Sequence, residues 1–181
     1  TRYEYCLIAD EYPGTVDWDI SQIKIANIDI EVGEPPGGGF PEAEDANGPL
    51  TAITVKMDGK FTTFACGDYK NKRNDVIYFK CHDEYELVSK FIGWWMSEYP
   101  DIITGWNVEQ FDIPYLVNRI RKLYGDDVKK LSPWGVVLDK TVDAGMNRKV
   151  KTYTFLGIAT LDMITLYKKY APGGFSQESY K

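Results

Sequence analysis

Histidine is nearly missing from this sequence: His82 is the only one among 181 residues. That argues against zinc-centred chemistry and removes the usual base of a Ser–His–Asp triad. Cysteine is sparse as well. Cys6, Cys66 and Cys81 are odd in number and widely spaced, which supports neither a disulfide framework nor a zinc site. No apolar run approaches membrane-spanning length, and the N-terminus lacks the basic-then-apolar order of a signal peptide. Basic charge is in deficit: 21 Lys and Arg face 27 acids, for a net charge of −6. No overall positive field advertises nucleic-acid binding, so any handling of DNA needs a local site in which bound cations offset the acids. Together these features read as a reduced, soluble, intracellular protein. The chain starts without Met and ends in GFSQESYK, which reads as a piece of something longer.

What is present has the composition of a globular domain, 44% hydrophobic and 14% aromatic, and is long enough to bury a core. Residues 3–9 (YEYCLIA) read as a short strand, and 23–32 as an Ile-rich central strand. Residues 33–50 form a loop rich in Pro, Gly and acids, expected to be mobile because it offers little to pack. Ile53, Val55 and Met57 alternate before Asp58-Gly59, a type I′ hairpin signal, and Phe61 to Cys66 returns. VIYF (76–79) is a further strand. Asp83 followed by Glu86 is a capping box opening a helix with Leu87, Val88, Phe91, Trp94 and Trp95 on its apolar face, stopped by Pro100. DIITGWN (101–107) reads as a strand, and a second helix starts near Asp112 with Pro114 in its first turn. A longer hairpin spans 136–155 with its turn at 143–147. FLGIATLD reads as a last strand, MITLYKKY as a short helix capped by Asp162, and APGGFSQES as loop. The order strand, hairpin, strand, helix, strand, helix implies a three-layer α/β architecture over a mixed sheet.

Two acids interrupt the central strand. Alternation places Asp29 and Glu31 on one face, with Asn27 beside them. No Lys or Arg alternates with them, and buried acids are costly unless paired or bound to metal. Either they lie at a solvated strand end, or they are oxygen ligands of the kind Mg²⁺ or Mn²⁺ prefers. GWNVEQFDIPY (105–115) bears on the choice. Asp112 stands where an Asp commonly caps a helix, yet Gly105, Trp106, Asn107 and Phe111 crowd the same turn.

A D-x-E strand followed by N-x-x-x-F-D before a helix resembles the first two motifs of the proofreading 3′–5′ exonucleases of the DEDD group. TGWNVEQFDIPYLVNRI, the later LSP, the hairpin and LDMITLYKKY are similar to the exonuclease domain of family B DNA polymerases, the T-even bacteriophage branch in particular. The resemblance implies a ribonuclease-H-like α/β fold, a central mixed sheet flanked by helices with an inserted β-hairpin. It implies that residues 1–22 are a remnant of a polymerase N-terminal domain, and that 23–181 are an exonuclease domain incomplete at its C-terminus. The implied activity is two-metal hydrolysis of the 3′-terminal phosphodiester of single-stranded DNA. Asp29, Glu31 and Asp112 would act as catalytic metal ligands for two Mg²⁺ or Mn²⁺ ions. Phe40, Asn107 and Phe111 would contact the DNA end, and Arg148 would lie near the tip of a hairpin that helps part primer from template. Implied partners are primer-template DNA and the polymerase palm, in a monomer acting in the cytoplasm of a bacterial host.

The family's fourth acid, in a Tyr-x-x-x-Asp or His-x-x-x-Asp motif, has no counterpart: no Tyr, nor His82, is followed by Asp four positions on. Asp162 falls in a segment upstream of that motif and reads as a helix cap, not a ligand. On this reading the 181 residues alone are a very weak or inactive nuclease. The rival readings are a non-catalytic binding or scaffolding module, and a ribonuclease-H-like nuclease of another branch.

Overall fold

A computed structural model describes residues 2–14, 17, 19–143 and 149–170, with side chains from Cys6 onward. The chain opens with helix α1 (Arg2–Glu11), where a strand was expected. Its apolar residues Leu7 and Ile8 are exposed. A short apolar run becomes a strand only when another strand takes up its backbone groups; lacking one, it satisfies them internally as a helix.

The sheet follows the expected order. Its strands are β1 (Ile25–Val32), β2 (Leu50–Met57), β3 (Lys60–Ala65), β4 (Val76–Lys80), β5 (Ile102–Gly105) and, later, β8 (Ala159–Asp162). They lie side by side as β4-β3-β2-β1-β5-β8. The β1–β2 and β2–β3 pairs are antiparallel, whereas β3–β4, β1–β5 and β5–β8 are parallel. The β2–β3 turn has positive φ at both Asp58 (49°) and Gly59 (75°), as a type I′ turn requires. β1 is central, flanked by β2 and β5. A separate antiparallel ribbon joins β6 (Val137–Asp143) to β7 (Lys149–Phe155); the expected turn of this hairpin, with Arg148, lies outside the described residues. So does the segment expected as a terminal loop after α4 (Met163–Tyr170).

Helices α2 (Glu84–Glu98) and α3 (Asp112–Tyr124) join one core with a single row of the sheet, including Ile28 and Ile30 of β1, Ile53 and Val55 of β2, and Phe64 of β3. Asp83 caps α2 as its spacing predicts, with Glu86 N–H donating to Asp83 Oδ1 (2.9 Å); the Glu86 carboxylate reaches one residue further back than a capping box requires and accepts from His82 N–H (2.6 Å). Trp95 is buried and donates Nε1–H to Leu131 O at 3.0 Å. Trp94 packs on Phe64 with ring centroids 5.9 Å apart. Both tryptophans therefore belong to the core, as their helical spacing indicates. A six-stranded mixed sheet flanked by helices, with the added hairpin, is the α/β architecture expected of a ribonuclease-H-like domain.

The loop between β1 and β2 packs more than its composition suggests. Ala43 and Ala46 are buried, and donors on α3 hold the loop's carbonyls. Asn118 Nδ2 donates to Ala43 O (2.9 Å), Arg119 Nη1 to Ala46 O (3.1 Å), Tyr115 Oη to Gly48 O (2.7 Å), and Lys122 Nζ to Asp45 O. Arg119 also makes a bidentate pair with Glu84 (2.7 and 2.6 Å), and Glu84 in turn accepts from Leu50 N–H (2.7 Å). Counting acids and glycines missed this because the anchoring groups are backbone carbonyls, which any sequence supplies. The glycines 37–39 all have positive φ and lie in the exposed first half of the loop.

Candidate active site

Alternation along β1 buries Ala26, Ile28 and Ile30 and leaves Asn27, Asp29 and Glu31 exposed on the opposite face. An irregularity in the β1–β2 register falls immediately after Glu31, a place where a bulge re-aims neighbouring side chains. The acids are thus solvated at the centre of the sheet rather than buried in it.

The third acid arrives from the other side of the strand. Parallel pairing of β1 with β5 runs only to Asn27↔Thr104, because β5 ends at Gly105. A side chain at 105 would place its Cβ 2.7 Å from Ile28 O, so glycine is what allows the chain to turn away against β1. The turn continues through Asn107, which has a positive φ of 62°. Beyond the end of β5, the N–H of Ile30 is taken by Asp112 Oδ1 at 3.1 Å. Asp112 was a candidate N-cap; instead Phe111 occupies the cap position without a side-chain cap bond, and Asp112 is the first helical residue. Its carboxylate therefore serves β1 rather than its own helix.

Asp112 is 6% exposed. Burial pushes its carboxyl up to about 7; the Ile30 hydrogen bond opposes this, while the negative charges of Asp29 and Asp162 add to it. Among the described residues, no basic side chain is among the groups that shift it. An unbalanced set of carboxylates with oxygen donors only suits a hard divalent cation in its chemistry. Among the described residues, however, no three potential ligands are gathered closely enough to form a ready-made metal cluster.

Phe111, the residue before Asp112, lines a cavity of about 450 Å³ together with residues including Phe40, Asn107, Asn118, Lys151 and Tyr153; Asp29, Glu31 and Asp112 are not in its lining. Phe40 is 78% exposed and lies 6.2 Å from the Phe111 ring, which lies 5.5 Å from Tyr115. Three residues expected at a DNA end, Phe40, Asn107 and Phe111, thus share one cavity. Lys151 and Tyr153 on β7 and Asn118 on α3 were not foreseen. The alternation of Lys149, Lys151 and Tyr153 along β7 was a visible signal, but only the folded hairpin brings it against α3. There Tyr153 Oη donates to Asn118 Oδ1 at 2.6 Å.

Asp162 does more than cap α4. Its Oδ1 accepts from Ile164 N–H (2.9 Å), as a cap should, and from Asn107 N–H (3.1 Å), while Oδ2 accepts from Glu109 N–H (2.9 Å). Lys140 of β6 reaches the same turn through Glu109 Oε1 at 2.5 Å.

Residues 5–181 match the model of the DNA polymerase family B exonuclease domain. The DNA-directed DNA polymerase of Escherichia phage RB69 is 32% identical over 93% of this chain, and that of Enterobacteria phage T4 is 29% identical over the same share. The DNA polymerase delta catalytic subunit of Plasmodium falciparum is 28% identical over 83% of the chain. The chain spans 22% of the length of the two phage polymerases. No helix among the described residues is long and apolar enough to cross a membrane.

Proposed function

Since the chain belongs to the exonuclease domain of DNA polymerase family B, and that membership implies a hydrolase, we propose that it carries the 3′–5′ proofreading activity of a phage-type polymerase. The substrate is the 3′ end of single-stranded DNA, and the bond broken is its terminal phosphodiester. Asp29, Glu31 and Asp112 hold two divalent cations, Mg²⁺ or Mn²⁺. When bound, such ions supply a nucleophile near neutral pH and stabilise charge on the leaving oxygen. The chain's own work is to fix those ligands on a rigid strand and helix end, and to hold the DNA end in the cavity that Phe111 lines. Phe40 and Phe111 offer ring faces to bases, which single-strand sites commonly use; Asn107 shapes the pocket. Arg148, outside the described residues, helps part primer from template on this reading.

The observation that carries this reading is that buried Asp112 bonds the β1 N–H of Ile30, next to Asp29, and feels the Asp29 charge. Residues 1–22 belong to a preceding polymerase domain, and the palm and other domains complete a monomeric protein that acts in the cytoplasm of a bacterial host. With no Tyr-x-x-x-Asp in the sequence, these residues alone make a weak nuclease. Manganese soaked into crystals is expected between Asp29, Glu31 and Asp112. A longer chain extending past Lys181 is expected to degrade single-stranded DNA from its 3′ end and to lose that activity on Asp112→Ala; cleavage unaffected by that change would overturn the assignment. The lack of a ready-made three-ligand cluster among the described residues favours, as second reading, a non-catalytic nucleic-acid-binding module. It predicts DNA binding without hydrolysis in the longer chain.

A further inference from the structure

Capping α4 requires one acceptor, yet Asp162 supplies three bonds, and two of them go to the turn after β5. The side chain is 4% exposed and sits opposite Gly105 in the parallel β5–β8 pairing. That pairing brings the end of β8 against the turn that starts at Asn107. The turn is unusual in itself: Asn107 has positive φ, and its carbonyl accepts from both Gln110 N–H and Phe111 N–H at 3.1 Å. One buried carboxylate therefore fastens the short segment that carries Asn107 and Phe111 into the cavity and ends at Asp112. Only an ionised carboxylate can accept from all three N–H groups without presenting a donor of its own; an Asn amide would set N–H against N–H. Helix capping alone would be met by Asn or Ser.

We propose that Asp162 is a positioning residue for the hydrolysis. It holds residues 107–111 so that Asn107 and Phe111 face the DNA end while Asp112 meets β1. This rests on the exonuclease reading above.

The test uses the full-length polymerase chain that carries these residues, with variants Asp162→Asn, Asp29→Ala and, as a remote control, Ile92→Ala in the α2 core. Two readouts are taken: Mg²⁺-dependent release of nucleotides from a single-stranded oligonucleotide, and amide hydrogen exchange of the peptide covering 105–111. Asp162→Asn is expected to raise KM for the oligonucleotide at least tenfold and to speed exchange in 105–111 at least tenfold. Ile92→Ala should lower Tm at least as far with neither effect. Unchanged exchange in Asp162→Asn, faster exchange with unaltered KM and kcat, or an equal rise in KM in Ile92→Ala would each overturn the proposal. Retained hydrolysis in Asp29→Ala, by contrast, overturns the exonuclease reading itself, whatever Asp162→Asn does to the turn.

Discussion

Replacing Asp112 with Asn isolates the cost of keeping an acid where the chain puts it. The amide is isosteric, and its oxygen can still accept the Ile30 N–H that now bonds Oδ1 at 3.1 Å. What changes is the charge. In the unfolded chain the carboxyl ionises near its ordinary value of 3.8, but in the folded protein burial and the neighbouring acids lift it to about 7. Between those values the native state holds a proton that the unfolded state has released, so stability falls as pH rises through that window. The penalty is absent below about pH 4 and complete above about pH 7, where it amounts to roughly 4 kcal/mol. Asp112→Asn should therefore match the wild type at pH 4 and exceed it by up to about 4 kcal/mol at pH 8, on the order of 10 °C in Tm. Urea or thermal unfolding of both proteins in chelator from pH 4 to 8 measures the difference, and other titrating groups cancel in it. A difference that stays flat, or that favours the wild type as pH rises, would refute the reasoning. If cations bind as proposed, Mn²⁺ should stabilise the wild type more at pH 8 than at pH 5, and Asp112→Asn much less at either.

Other substitutions probe the scaffold and the cavity. Arg119→Met leaves Glu84 nearly buried without its bidentate partner, since the side chains are 15% and 12% exposed; a loss of about 3–5 kcal/mol in chemical denaturation is expected. Thr152 is fully buried and its hydroxyl has no hydrogen-bond partner among the described residues, so Thr152→Val should stabilise by about 1 kcal/mol in the same assay. Phe40→Ala removes an exposed ring, so stability should move by less than about 0.5 kcal/mol. Affinity for a single-stranded oligonucleotide, measured by fluorescence anisotropy, should fall about tenfold or more if a base stacks there; unchanged affinity would assign Phe40 to pinning its own loop.

Why some of these residues announced themselves and others did not follows from the range of the forces involved. The Asp58-Gly59 turn and the Asp83–Glu86 cap are settled within four residues, by backbone conformations and bonds that the local sequence controls. They are accordingly legible without a fold. Asp29 and Glu31 were legible because a period of two is a property of any strand, whichever neighbours it has. The YEYCLIA segment was misread as a strand because strand formation depends on a partner elsewhere. Asp112 is the intermediate case: its position before a helix was plain, but the N–H it binds is Ile30's, free only because β5 stops at Gly105. Asp162 is the extreme one. As a cap it was visible, while its two bonds into the 107–109 turn exist only because β8 pairs in parallel with β5. Neither Asp112 nor Asp162 meets these targets until β1, β5 and β8 are side by side. The sheet must therefore be substantially assembled before the turn carrying Asn107, Phe111 and Asp112 is held in place, which makes that turn an element whose local opening should be separable from global unfolding.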